Sequence, residues 1–224
     1  MRFPLAAVRD YDRSATIGSN GEDLMKALLT ATLSGALALS FGASAADKAS
    51  APQPTKEQQE MMAAYQRMAE VRQEHKQLDY FVGDWTSSTT MWMDPKTPPQ
   101  KSAGKVHTQA IFGGRYIEVD MEGAMNDATY HGRGYMGFDN IAGKFFNTWM
   151  DDMSTGFWFA YGTYDKATQT YTFRGQMDDP MKAGGKVAVR EVMHIVDPKH
   201  YVFEWYETRG GKEAKTLQID YSKS

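Results

Sequence analysis

Two hydrophobic rhythms divide this chain near residue 83. Upstream, Met61, Ala64, Tyr65, Met68, Val71, His75 and Leu78 recur near one helical face, while Lys, Glu, Gln and Arg occupy the other. The spacing predicts one amphipathic helix over 56–77, opened by a capping box between Thr55 and Gln58. Its apolar stripe requires a partner, most simply one end or side of the structure that follows. Both charge signs on its polar face argue against a membrane surface. Downstream of Gly83-Asp84-Trp85 the period becomes two. Ten such runs lie near 84–93, 102–110, 115–124, 128–138, 145–151, 156–164, 171–178, 186–196, 201–208 and 213–222. Gly113-Gly114, Asp139-Asn140 through Gly143, Asp165 through Gln169, Asp197-Pro198 and Gly210-Gly211 supply turns between most of them. No helix-length segment interrupts the series, so neighbours pair antiparallel, and closing the sheet removes its edges. The pattern predicts a mainly β fold: a ten-stranded antiparallel barrel over 78–224, preceded by one helix.

Pairing arithmetic then decides which side chains face the lumen. A two-residue turn at Gly113-Gly114 sets Ala110 against Ile117, Thr108 against Val119 and Val106 against Met121. It leaves Lys105, His107 and Gln109 opposite Glu122, Asp120 and Glu118, a charged ladder that belongs in water. The first face is therefore interior, and it carries Arg115 inward at its end. Placing Phe138 opposite Phe145, Trp149 opposite Trp158 and Gly162 opposite Phe173 makes the next four strands agree. Their interior holds Met136, Phe138, Phe145, Asn147, Trp149, Asp151, Trp158, Phe173 and Met177. Small residues oppose several of these rings, which means either close packing or a ligand cavity. In the last three strands Tyr201, Phe203 and Trp205 inside bring Arg190, His194 and Glu207 with them. Leu217, Ile219 and Tyr221 join that face through a one-residue bulge at Gly210-Gly211.

The first 55 residues read differently. Residues 25–46, MKALLTATLSGALALSFGASAA, combine a basic Lys26, a 15-residue apolar run from Ala27 to Phe41 and a small-x-small end at Ala43-Ser44-Ala45. That is the layout of a signal peptide, and the run is short for a bilayer span. Residues 1–24 read as an upstream extension, with translation starting at Met25. Residues 47–55 read as a flexible linker. The expected compartment is the periplasm or the exterior of a bacterial cell.

Net charge is −3, from 25 basic and 28 acidic residues. The basic residues are scattered, which argues against a nucleic-acid partner. The absence of cysteine excludes disulfides, thiolate nucleophiles and cysteine-ligated metals.

A polar side chain in a barrel lumen must be paired or must serve a ligand. Arg115, Asn147 and Asp151 are the inward polar residues of the first strands. They give a polar end to an apolar pocket, with Arg115 receiving an anionic head group, or else an Arg115–Asp151 ion pair. Trp149 and Trp158 facing glycine and alanine suggest cavity walls, with Phe173, Trp205, Arg190 and His194 completing the lining. Trp85 is read as a filler of the barrel end. No cofactor is predicted; Met91-Trp92-Met93 keeps Cu(I) as an alternative, against methionine as core filler. No Gly-x-Ser-x-Gly, no His-Glu-x-x-His and no convergent His–carboxylate pair occurs, so no catalytic residue is assigned.

LDYFVGDWTSSTTMW, FGGRYIEVDMEG, GYMGFDNIAGKFFNTWMDDMSTG, GTYDKATQTYTFRG and KVAVREVMHIVDPKHYVFEWYE occur in order, and together they resemble the DUF1579 proteins over about residues 75–222. The resemblance implies a lipocalin- or calycin-like barrel, often behind a bacterial signal peptide, and transfers no catalytic residue. A more distant similarity is to nitrobindin-like haem barrels, which also enter through Gly-x-Trp. Their resemblance implies a histidine haem ligand near the C-terminal strands. The final strand here, EAKTLQIDYSK, has none, which leaves His194 as the nearest substitute. The expected function is exported binding of a small hydrophobic or amphipathic, potentially anionic, molecule inside the barrel. The alternatives are an enzyme using Asp151 as acid or base, and a filled barrel with a structural role.

Overall fold

A computed structural model describes residues 53–94, 96–125 and 128–224. The signal-peptide, upstream-extension and start-site readings lie outside the described residues, as does most of the linker. Ten strands form a closed antiparallel barrel in which each pairs with its sequence neighbours and the last meets the first. They are β1 (Gly83–Met91), β2 (Gln100–Ile111), β3 (Tyr116–Met125), β4 (Ala128–Asp139) and β5 (Lys144–Asp151), then β6 (Trp158–Asp165), β7 (Thr170–Asp178), β8 (Lys186–Asp197), β9 (His200–Arg209) and β10 (Lys212–Lys223). The register of β2 on β3 is the expected one, Ala110 opposite Ile117 through Lys105 opposite Glu122. So is that of β4 to β7, with Phe138 on Phe145, Trp149 on Trp158 and Gly162 on Phe173. On the outer face Gln109 donates to Glu118, and Asp120 takes both His131 and Arg133.

The single expected helix is two. Helix α1 spans Lys56–Ala69 and α2 spans Gln73–Gln77, followed by a 3-10 turn over Leu78–Phe81. The capping box at Thr55 and Gln58 opens α1. No glycine or proline breaks the helix at Glu70–Arg72, so the cause is tertiary. The Asn140 side-chain amide, from the β4–β5 turn, donates to the carbonyls of Arg67, Met68 and Glu70 at 2.8–3.1 Å. Arg115 Nε donates to Ala69 O at 2.9 Å. These side chains satisfy the orphan carbonyls of a helix end, and the chain then turns toward the barrel. None of the α1 residues is buried, whereas His75, Leu78 and Phe81 of the following turns are. The stripe is therefore divided: its second half plugs one end of the barrel, and Met61, Tyr65 and Met68 stay exposed.

That plugged end is packed with rings. Phe81 lies edge-on to Tyr201 and against Tyr171, and Trp85 meets Tyr201 at 4.9 Å. Trp85 Nε1 donates to Phe81 O at 2.8 Å, so the tryptophan of Gly-x-Trp ties the first strand to the plug. His75 accepts from Arg72 N at 3.0 Å and stands edge-on to Phe138. Burial lowers its pKa, so the ring is held neutral.

Two bulges set the faces of the last strands, and neither falls at the glycines. One shifts the β8–β9 register between Ile195 and Asp197, the other the β9–β10 register between Lys215 and Leu217. Tyr201, Phe203 and Trp205 do face inward, as do Leu217, Ile219 and Tyr221. Their β8 partners are Ile195, Met193 and Glu191. Arg190 and His194 consequently lie on the outer face, opposite to the expectation, because the bulge adds a residue before the tight Pro198-Lys199 turn.

Candidate functional site

The bulge at Val196 brings a residue of a different kind into the barrel. Glu191 stands between Phe173 of β7 and Trp205 of β9 and is 1% exposed. Asn147 Nδ2, reaching across from β5, donates to both of its carboxylate oxygens at 3.2 Å. Loss of hydration pushes the Glu191 carboxyl up to about 7, and the donors beside it pull it back only in part. The Trp158 indole lies close enough to count among those donors, yet its buried N–H closes no hydrogen bond with any partner. Trp158 packs on Trp205 with ring centroids 4.7 Å apart.

A second polar group sits one residue pair further along β5. Trp149 Nε1 donates to Tyr130 OH at 3.0 Å and to Asp151 Oδ2 at 3.2 Å, and Tyr130 OH donates to the same Asp151 oxygen. Gly132 and Gly134 of β4 make the seat for this indole. A Cβ at Gly134 would lie 2.8 Å from Trp149 Cε3 and would strike the Thr148 carbonyl. The β4–β5 pairs are interrupted there, and the Thr148 hydroxyl bridges Tyr135, accepting from its N–H and donating to its carbonyl. Trp149 therefore joins the two polar groups: it pairs with Trp158 on one side and holds Asp151 on the other.

The half of the barrel away from the plug is covered less evenly: Val187, Val189 and Trp158 are buried, but other inward side chains are not. Val119, Trp149, Phe203, Trp205 and Leu217 all face inward by register and are still only partly buried. Inward side chains that keep exposure in mid-strand border a space that water can enter. At the mouth of this half Glu207 accepts from Trp205 Nε1 and from Arg209, which also reaches Asp179.

Of the expected lining residues, Trp149, Asp151, Trp158 and Trp205 come together in this half, with Asn147 and the buried Phe173 between them and the plug. Arg115 does not. Besides Ala69 O, its guanidinium donates to Phe112 O, and it has no contact with Asp151. The two residues lie at opposite ends of the sheet, because β4 meets Tyr116 at Gly137 and Asp151 at Gly132. Arg190 is turned outward, held by Glu213 at 2.6 and 2.9 Å with its guanidinium 3.8 Å over Tyr206. His194 is exposed and meets Thr170. An outward His194 does not fit the role of an axial haem ligand, and the buried His75 has its Nδ1 engaged by Arg72 N–H. Met93 lies beyond the end of β1 and is 72% exposed, so β1 does not hold Met91 and Met93 together. Among the described residues no group of three or more histidine or carboxylate side chains is placed to hold a metal ion, and no helix is long and apolar enough to cross a membrane.

Glu191 is the residue that strand arithmetic missed. The only signal available was its place between Val189 and Met193 in a strand whose inner parity could have been tested against Val187 and Val189.

Among solved structures, Rv2717c from M. tuberculosis is similar with a TM-score of 0.52 and 12% identity, covering 69% of this chain and 99% of that one. At that identity the likeness shows the fold alone. A redesigned β barrel shares 14% identity over 70% of this chain and 96% of that one, with a TM-score of 0.35. A protein of unknown function from the DUF3598 family of Nostoc punctiforme shares 6%, over 69% and 100%, with a TM-score of 0.22. Neither of these two carries an argument. No curated protein matches the chain. Residues 70–223 match the family described as protein of unknown function (DUF1579), over the plug and the whole barrel, and the chain belongs to that family.

Proposed function

We propose that this is an exported barrel that holds a small hydrophobic or amphipathic molecule in the half away from its plug. The observation that carries the reading is the set of inward, partly exposed apolar side chains above a buried polar pair, Asn147 and Glu191. Such a space offers apolar walls with a few fixed hydrogen-bonding groups, the usual make-up of a small-molecule site. Trp149 and Trp205 supply the walls, Asp151 and Glu207 the reachable polar atoms. The anionic head group expected at Arg115 is not part of this reading, because that guanidinium serves the helix end.

Native mass spectrometry of protein gently released from its own cells tests the binding. The expected spectrum carries a mass above that of the chain, removed by collisional activation. A spectrum of bare chain alone, together with no change in tryptophan emission on titration with N-phenylnaphthylamine, would sink the reading. Export rests on the sequence of residues 25–46. Terminal sequencing of the exported form is expected to begin just after Ala45 or Ala46, and a mature end before residue 40 would rule it out.

A further inference from the structure

We infer that the lumen selects positively charged amphipathic molecules, an apolar body bearing an amine, over carboxylates of the same size. The inference rests on the binding reading above and reverses the charge expected from the sequence.

Register gives the inner face of every strand between plug and rim. Its ionisable side chains are Glu191 on β8, Asp151 on β5 and Glu207 on β9, with the phenols of Tyr130, Tyr164, Tyr171, Tyr201 and Tyr221. Among the described residues lysine and arginine reach inner positions only at the ends, Lys223 opposite Trp85 at the plug and Lys212 opposite Arg209 at the rim. Arg209 stands at the rim and is shared by Glu207 and Asp179. Among the described residues neither Asp151 nor Glu191 has a cationic partner; each is met by neutral donors, Tyr130, Trp149 and the Met153 amide for the first and Asn147 for the second.

A second observation is a donor beside Glu191 that closes no hydrogen bond. Trp158 is 8% exposed, faces the lumen beside Glu191, and its N–H has no hydrogen-bond partner. A buried donor left unpaired costs free energy that a bound acceptor atom recovers. The partly exposed rings of Trp149 and Trp205 present faces suited to a cation. Carboxylates behind low-dielectric walls concentrate their field inside the cleft, so the preference extends beyond direct contact. An amine with a neighbouring acceptor answers all of these groups; a carboxylate answers only the Trp158 donor.

The test uses the mature chain at pH 7 with octylamine, octanol and octanoate, read by tryptophan quenching and calorimetry. Octylamine is expected to bind at least tenfold more tightly than octanol, with octanoate weakest. Octanoate or octanol binding as tightly as the amine would overturn the charge selection and leave the binding reading standing. Failure of all three would remove both. In the Asp151→Asn chain the amine is expected to fall to within about threefold of octanol measured on the same chain, and a retained tenfold preference would overturn the part assigned to Asp151. A second readout needs no variant. Because Glu191 lies close to half-protonated, amine binding in the wild-type chain should release protons, giving different enthalpies in phosphate and Tris, while octanol should not. Equal enthalpies for the amine in both buffers would overturn the part assigned to Glu191.

Discussion

A carboxyl that is 1% exposed, with closed hydrogen bonds from Asn147 and the Trp158 indole beside it, is the least ordinary residue in this barrel. Its consequence for stability has a definite sign. In the unfolded chain Glu191 titrates near its ordinary 4.5, and in the folded barrel near 7. Between those pH values the folded protein keeps a proton that the unfolded chain has released, so stability falls as pH rises from 4.5 through 7 and stays lower above it. The shift corresponds to on the order of 3 kcal/mol. Glu191→Gln keeps an acceptor for Asn147 and removes the titration. Relative to wild type, the variant should therefore gain about 3 kcal/mol between pH 4.5 and pH 8, measured by urea denaturation at each pH. His75 contributes in the opposite direction: its lowered pKa costs stability as pH falls below 6.5. The difference between the two chains cancels that contribution. Parallel pH curves would mean that Glu191 is not the group responsible.

Elements report where sequence reasoning held and where it gave way. Period-two runs and turn residues were enough for all ten strands, because each strand shows one face to water and the other to rings or aliphatics. Register followed wherever a turn kept its parity, as between β2 and β3 and from β4 to β7. It failed at β8 because a bulge at Val196 exchanges the faces, and Val-Asp-Pro carries no mark of an extra residue. The same lack of a local mark hid the bulge at Thr216, where glycines nearby drew the expectation away. The helix break is a third case. Residues 67–72 hold no glycine or proline, and Asn140 and Arg115, distant in sequence, join Arg72, which donates to Arg67 O, in ending α1 where it ends. Removing those ties should act locally. In the double variant Arg115→Ala, Asn140→Ala, α1 amides should exchange at least tenfold faster, while the barrel unfolds within about 1 kcal/mol of wild type, because α1 buries none of its residues. A loss of several kcal/mol in global stability would show instead that the turns themselves depend on those side chains.

Along its axis the barrel has a plugged half and, on the binding reading, an open half, and the two should respond oppositely to added volume. Toward the plug, Phe81, Trp85, Tyr171, Tyr201 and Phe145 interlock at ring separations of 4.9–5.8 Å. Ala160, 2% exposed opposite Asn147, belongs to the packed region next to them. Enlarging it, as in Ala160→Leu, has no space to use and should cost about 1–3 kcal/mol through displaced neighbours. Leu217 also faces inward, opposite Met91 and Trp205, yet remains partly exposed. Leu217→Trp adds a larger ring at a partly exposed position, so on the binding reading it should leave stability within about 1 kcal/mol of wild type. The same variant should abolish N-phenylnaphthylamine binding, because the added ring takes the volume the probe would occupy. Denaturation and titration on the two variants separate the halves. If Leu217→Trp destabilises as much as Ala160→Leu, the lumen is packed throughout and binds nothing. If it is tolerated and the probe still binds, the ligand lies elsewhere in the barrel than between Trp149 and Trp205.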